Sequence, residues 1–95
     1  MYAVIRHYHF DPKDSGEIDR RIREGFVPLI SKADGFSRYY WLDSGNGEGA
    51  SFGLFRDKAG ADGSVLLAAG WVKENLAGLL RQNPEIIEGP VVAHD

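Results

Sequence analysis

The sequence predicts an α+β domain in which a four-stranded antiparallel sheet carries two helices on one face. Two stretches have apolar residues at helical spacing, and four stretches alternate in the manner of strands. Their order along the chain is strand, helix, strand, strand, helix, strand. With right-handed crossovers, this order predicts that the first and third strands lie at the centre of the sheet and the other two at its edges.

The length and composition are those of one ordinary domain, residues 1–95. The net charge is −3 with acids and bases interspersed, so we expect no nucleic-acid partner. The absence of cysteine excludes disulfides, a thiol nucleophile and a zinc–thiolate site. No apolar run approaches the roughly 20 residues that span a bilayer, and the first ten residues lack the features of a signal peptide. We therefore expect a cytoplasmic protein without membrane attachment.

The first strand is predicted over residues 2–10, which are rich in aromatic and β-branched residues. Both faces are partly apolar, which is typical of a central strand covered on both sides. One face carries Tyr2, Val4, Arg6, Tyr8 and Phe10, and the other carries Ala3, Ile5, His7 and His9.

The first helix is predicted from a capping box, Asp14 and Glu17, to about Ala33. Gly25 and Pro28 interrupt it, so we expect a kink over residues 24–28. Its predicted apolar stripe consists of Ile18, Ile22, Phe26, Leu29 and Ala33, with Ile30 beside it.

The second and third strands are predicted over residues 36–43 and 50–56, joined by a hairpin turn at residues 44–47. Strict alternation in the second strand places Tyr39 and Trp41 on one face. Phe36, Arg38, Tyr40 and Leu42 lie on the other.

The second helix is predicted over residues 59–80, and Asn83-Pro84 stops it. Trp71 lies beside its stripe, at the flank of the core. The last strand is predicted over residues 86–94 and is interrupted at Gly89-Pro90, which fits an edge position. The apolar stripe of the second helix consists of Val65, Ala69, Val72, Leu76 and Leu79.

One sheet face would remain uncovered, because 95 residues provide no third layer. Apolar sheet faces of this size are normally covered by another subunit. We therefore expect a homodimer with the two sheets face to face, in which Tyr39 and Trp41 are interface aromatics.

Five segments resemble the antibiotic biosynthesis monooxygenase-like family: residues 26–30 (FVPLI), 33–36 (ADGF), 53–57 (GLFRD), 71–76 (WVKENL) and 88–92 (EGPVV). The resemblance covers nearly the whole chain. It implies a ferredoxin-like βαββαβ protomer that pairs into a dimeric α/β barrel, with a pocket between helices and sheet. The family includes cofactor-independent oxygenases of polycyclic phenols, haem-degrading oxygenases and proteins of no established activity.

The haem-degrading branch has an asparagine, a tryptophan and a histidine ligand where this chain aligns His7, Ser64 and Glu74. The iron ligand is therefore missing, and we expect no cofactor. The phenol-oxidising branch uses no metal and holds its substrate beside a tryptophan and polar side chains. Its substrate must lose a proton before it reacts with oxygen, and donors in a dry pocket must stabilise the anion.

The resemblance implies roles for particular residues. His7 would be a base or polar anchor, and Arg38 and Tyr40 would stabilise the anion. Substrate contacts would come from His9, Phe36, Phe55 and Trp71.

Other interpretations of these residues stay open. His7 and His9 share one strand face, but the third histidine, His94, is predicted far away, so ligand count argues against a metal. His7 and His9 would otherwise be polar residues lining the sheet, and Arg38 and Tyr40 edge residues in water. Trp71 could instead contact a partner subunit.

The function predicted from the sequence is cofactor-independent oxidation of a small aromatic or phenolic substrate by a homodimer. The alternative is a non-catalytic dimeric module that binds a small molecule or a partner protein. A filled interior between helices and sheet would favour the module.

Overall fold

The computed structural model describes all residues, 1–95, and confirms the predicted α+β class. Its sheet is antiparallel with strand order β2-β3-β1-β4, so β1 and β3 are central as predicted. A 3₁₀ turn (Pro12–Asp14) precedes α1, and a π-helical segment (Ile22–Phe26) joins α1 to α2. The elements are β1 (Tyr2–His9), α1 (Ser15–Arg21), α2 (Val27–Ile30), β2 (Phe36–Asp43), β3 (Glu48–Phe55), α3 (Lys58–Asn75) and β4 (Glu85–Pro90).

The core lies between the helices and one face of the sheet. Along β1, Val4 and Tyr8 are buried on this inner face, and Phe55 of β3 is buried with them. The opposite face, called the open face below, has no element packed on it. No helix combines the length and apolarity needed to cross a membrane.

The helix kink predicted near Pro28 takes the form of the π-helical segment. Buried residues recur every fourth position as Ile18, Ile22, Phe26 and Ile30. Four-residue steps overshoot a 3.6-residue turn, and the wider π turn absorbs this drift. Ile30 is therefore buried and Leu29 is exposed, the reverse of the predicted stripe.

The predicted capping box is wrong. The Asp14 side chain makes no capping hydrogen bond. Glu17 instead accepts hydrogen bonds from Arg20 and Arg21 within the same helix. The cap lies earlier, where the Asp11 carboxylate accepts a hydrogen bond from the Lys13 backbone N–H at 3.0 Å.

Helix α3 ends at Asn75, five residues before the predicted end. Its face toward the core is formed by small residues, Ala61, Ser64 and Ala68, whereas the predicted stripe residue Ala69 is exposed. Small side chains permit close approach of the helix to the sheet. A search for large apolar residues at helical spacing does not identify such a face. A glycine, Gly78, with φ of +80°, follows the helix end.

A β-bulge between Phe36 and Arg38 reverses the expected faces of β2. One additional residue in a strand moves every later side chain to the opposite face. Tyr39 therefore packs edge-on against Phe26, with ring centroids 5.3 Å apart. Tyr40 and Leu42 lie on the open face and are each 60 % exposed.

The placement of Tyr39 and Trp41 at a dimer interface is consequently wrong, because both pack on the inner face. Arg38 and Tyr40 lie on the open face for the same reason, which agrees with their interpretation as edge residues in water. Phe36 precedes the bulge and keeps its predicted position, packing edge-on against Phe55 at 6.2 Å.

Two glycines of α3 give a matched test of its packing. A Cβ at Gly60 would lie 2.8 Å from the Asp34 carbonyl oxygen, whereas a Cβ at Gly63 would meet nothing within 4 Å. Gly60→Ala should lower the free energy of unfolding by roughly 1–3 kcal/mol. Gly63→Ala should raise it by about 1 kcal/mol through helix propensity. Urea denaturation measures both, and changes of the same sign would contradict this packing.

Candidate functional site

A cleft of about 780 Å³ opens between the C-terminal half of α3 and the β1–β4 side of the sheet. Inner-face residues of β1 and β4 and the segment after α3 complete its walls. Part of the lining consists of residues with small side chains or none, which leave room for the cleft: Ala68, Ala69, Ala77 and Gly78. The lining residues are Arg6, Tyr8, Ala68, Ala69, Val72, Lys73, Leu76, Ala77, Gly78, Leu80, Gln82, Asn83, Pro84 and Ile86.

Arg6 is the charged residue buried in this cleft, with 6 % of its surface exposed. Its Nη2 donates a hydrogen bond to the Val65 carbonyl oxygen of α3 at 3.1 Å, which fixes the guanidinium. Arg6 makes no ion pair with any carboxylate. A buried charge without a counter-ion is costly, so the guanidinium favours an anion in the cleft.

Tyr8 lies beside Arg6 on the same strand face and is also buried. Burial raises the pKa of the Tyr8 phenol above its usual value, although Arg6 and the Ser51 hydroxyl oppose the rise. The phenol therefore stays protonated at neutral pH. Tyr8 and Arg6 thus offer hydrogen-bond donors from one strand, next to a space large enough for a small ligand.

The charge of the cleft lining differs from that of the whole chain. Arg6 and Lys73 are its only basic residues, and no acidic side chain lines it, although the chain carries a net charge of −3. Val72, Leu76 and Ile86 supply apolar walls. Electrostatics and shape therefore suit a small ligand with an apolar body and a negative charge.

The site residues predicted from the sequence do not line this cleft. His7, His9, Arg38 and Tyr40 belong to the open face, and β3 lies between the two histidines and β2. The structure does bring His7 and His9 together, with ring centroids 4.3 Å apart.

The predicted aromatic contacts lie in the core. Trp71 packs on Phe26 with ring centroids 5.3 Å apart, and Phe36 packs on Phe55. Space between the helices and the centre of the sheet is about 10 Å³, room for about one water molecule. The centre of the helix–sheet interface is therefore closed, and the open space between α3 and the sheet lies on the β4 side.

Sequence reasoning missed Arg6 and Tyr8 as site residues. A signal existed, because Arg6 is the only charged residue on an otherwise apolar strand face. Charged residues are rarely buried without a partner, so such a position indicates function or an unseen ion pair.

A second concavity, of about 380 Å³, lies between α1 and β2 beside Trp41. The indole Nε1 donates to the Asp19 carboxylate at 2.8 Å. Asp43 accepts a hydrogen bond from the Gly45 N–H, and its other oxygen is buried without a partner. Burial raises the pKa of the Asp19 carboxyl, and Asp43 adds to the rise while the Trp41 hydrogen bond opposes it. We interpret this cluster as a link between α1 and the β2–β3 hairpin.

The raised pKa of Asp19 gives this link a pH dependence. Because the folded state binds the proton more tightly, stability should fall as pH rises from the usual carboxyl range through the raised pKa. Asp19→Asn keeps an oxygen for Trp41 and removes the charge, so it should raise Tm at pH 7. The gain should shrink as pH is lowered toward 4. Calorimetry at several pH values, with Asp95→Asn as control, checks this, and a lower Tm for Asp19→Asn at pH 7 would contradict it.

Comparison with known proteins gives similarity of fold. No protein-family model matches the sequence, and no curated protein matches it. A solved protein of unknown function from Nitrosomonas europaea aligns over 99 % of this chain and 91 % of its own, with 22 % identity and a TM-score of 0.84. An antibiotic biosynthesis monooxygenase aligns over 98 % and 100 %, with 19 % identity and a TM-score of 0.75.

A monooxygenase from Streptomyces coelicolor, solved in complex with nanaomycin D, aligns over 98 % of this chain and 92 % of its own. Its identity is 11 % and its TM-score 0.68. The expected ferredoxin-like fold is therefore confirmed, and the chain is similar in fold to proteins named antibiotic biosynthesis monooxygenases.

Proposed function

We propose that this chain is a monooxygenase-like enzyme that oxidises a small phenolic compound, bound as its anion in the cleft, without a cofactor. The observation that carries this proposal is the buried Arg6 guanidinium, which has no carboxylate partner and lines a cleft of about 780 Å³. The cytoplasmic location expected from the sequence belongs to the same proposal.

The chemistry requires a site that stabilises negative charge on an aromatic ring. A phenol reacts with oxygen more readily after it has lost its proton, and a fixed cation lowers the free energy of the anion. Arg6 would supply the charge and Tyr8 a neutral hydrogen-bond donor. Because neither a carboxylate nor a histidine lines the cleft, the proton would pass to solvent through its open side.

The similarity in fold supports the monooxygenase part of the proposal. Several solved structures with this fold are named monooxygenases, and one of them holds nanaomycin D. The proposal moves the anion-stabilising role from Arg38 and Tyr40 to Arg6 and Tyr8. The predicted roles of His7 and Tyr40 stay predictions, and the experiment that follows tests the role of Arg38.

Two arginine variants separate these assignments. Arg6→Gln and Arg38→Gln each remove one positive charge, the first inside the cleft and the second on the open face. Arg6→Gln should weaken binding of polycyclic phenols by about 10- to 100-fold, the range for a charge-assisted hydrogen bond. Arg38→Gln should change it less than about threefold. Calorimetric titration measures affinity, and an oxygen electrode measures turnover.

Circular dichroism must first show that both variants fold. If Arg38→Gln weakens binding as much as Arg6→Gln does, the anion site lies on the open face and the cleft assignment is wrong. Failure of every polycyclic phenol tested to bind to the wild type would also contradict the proposal.

The second candidate is a non-catalytic small-molecule- or partner-binding module. The observation in its favour is that no carboxylate or histidine lines the cleft, so no side chain there is placed to take a proton from a bound phenol. Saturable binding of phenols in the cleft without oxygen uptake would favour this function over the enzyme.

A homodimer formed through the open faces is part of the proposal. The face exposes large apolar side chains on all four strands, an arrangement that monomeric proteins rarely leave in water. A twofold axis would place the same patch of each copy against the other. The exposed side chains are Ile5, Tyr40, Leu42, Phe52 and Ile87.

Charge substitutions test this interface. Phe52→Lys and Ile87→Lys would bury a lysine in the interface, so each should convert a dimer to monomers at micromolar concentration. Leu66→Lys is the matched control, because Leu66 is 77 % exposed on α3. Light scattering coupled to size-exclusion chromatography measures the mass. A monomeric wild type, or an equal effect of Leu66→Lys, would contradict the interface.

A further inference from the structure

A cluster of two histidines and two glutamates lies at one end of the open face. His7 Nε2 and Glu48 Oε1 are 2.8 Å apart, and His9 Nε2 and Glu85 Oε1 are also 2.8 Å apart. A longer contact of 3.6 Å joins His7 Nδ1 to Glu85. One ligand atom from each of His7, His9 and Glu48 can be chosen so that the three lie within 4.8 Å of one another.

Sheet topology produces this cluster from distant parts of the sequence. His7 and His9 are two residues apart on β1, so they share a face. Glu48 begins β3 and pairs with His9, and Glu85 begins β4 and pairs with His7. Since β3 and β4 flank β1, the two carboxylates lie on opposite sides of the imidazoles.

The cluster contains no fixed positive charge. Glu48 forms an ion pair only with His7, and Glu85 only with the two histidines. No lysine or arginine pairs with either carboxylate, which is a favourable environment for a divalent cation. Imidazole nitrogen and carboxylate oxygen are donors that first-row metal ions bind together.

We propose that His7, His9 and Glu48 bind one divalent first-row transition-metal ion, with Glu85 as a positioning residue for the imidazoles. A tetrahedral zinc site with bonds of about 2.0–2.1 Å spaces its donors about 3.3 Å apart. The three donors lie within 4.8 Å of one another, so side-chain rotations that shorten the widest separation by at most about 1.5 Å would bring them to that spacing. Metal-binding imidazoles commonly donate their second ring N–H to a carboxylate, the role that Glu85 is placed to take.

This site is independent of the phenol-binding cleft, although it shares the open face with the proposed dimer interface. Arg6 and His7 are consecutive residues of β1 and therefore lie on opposite faces of the sheet. A metal on His7 is thus separated from the cleft by the sheet itself. Metal binding can succeed or fail without any consequence for phenol binding.

Calorimetric titration of the tag-free, chelator-treated chain with Zn²⁺ tests the proposal. One ion should bind per chain, and the ion should raise Tm. His9→Ala and Glu48→Gln should weaken binding at least 10-fold, and Glu85→Gln by about 10-fold as an outer-shell partner. His94→Ala is the matched control, because it removes an exposed histidine outside the cluster and should leave the affinity unchanged.

Co²⁺ provides a second readout, because its visible absorption is much stronger in a four-coordinate protein site than in the six-coordinate aqua ion. Spectra should change in the wild type and in His94→Ala but not in His9→Ala. Absence of binding at 100-fold excess Zn²⁺, or an unchanged affinity in both His9→Ala and Glu48→Gln, would overturn the proposal. Equal loss in His94→Ala would overturn it as well. Glu48→Gln and Glu85→Gln preserve side-chain size, so these variants should fold and their metal affinities can be compared with that of the wild type.

Discussion

The helical layer, formed by α1 and α2 with their joining π-helical segment and by α3, covers only one face of the four-stranded sheet. This constraint divides the molecule into two chemical environments. Strand alternation then assigns consecutive residues to different environments. Arg6 points inward, where it is buried beside Tyr8, and His7 points outward, where it meets two glutamates. Both candidate sites thus originate in one central strand and remain separated by the thickness of the sheet.

The order and type of the elements could be predicted from the sequence, because they depend on local periodicity and turn residues. Two of the side-chain face errors arose where the backbone departs from regular geometry. The bulge in β2 exchanged the faces of Tyr39 and Tyr40, and the π-helical segment exchanged the exposure of Leu29 and Ile30. The bulge and the π-helical segment each insert about one extra residue into a regular element. Neither changes the order of apolar and polar residues in the sequence.

The candidate sites were less predictable, because each depends on what surrounds a residue in three dimensions. The position of Arg6 on an inner strand face was visible in the sequence, but its lack of a counter-ion and the open space beside it were not. His7 and His9 were recognised as a pair, whereas the flanking carboxylates come from residues 48 and 85 through strand pairing. A count of histidines alone therefore underestimated the donors available.

The bulge in β2 also affects how the sheet ends. An edge strand normally presents a regular row of unpaired N–H and C=O groups that can recruit another chain and extend the sheet into a fibre. At the β2 edge the bulge breaks this row, and at the other edge β4 is six residues long and ends in Pro90, which lacks an N–H. Lateral growth of the sheet is thereby disfavoured at both edges, so a chain with an exposed apolar face is protected against open-ended aggregation.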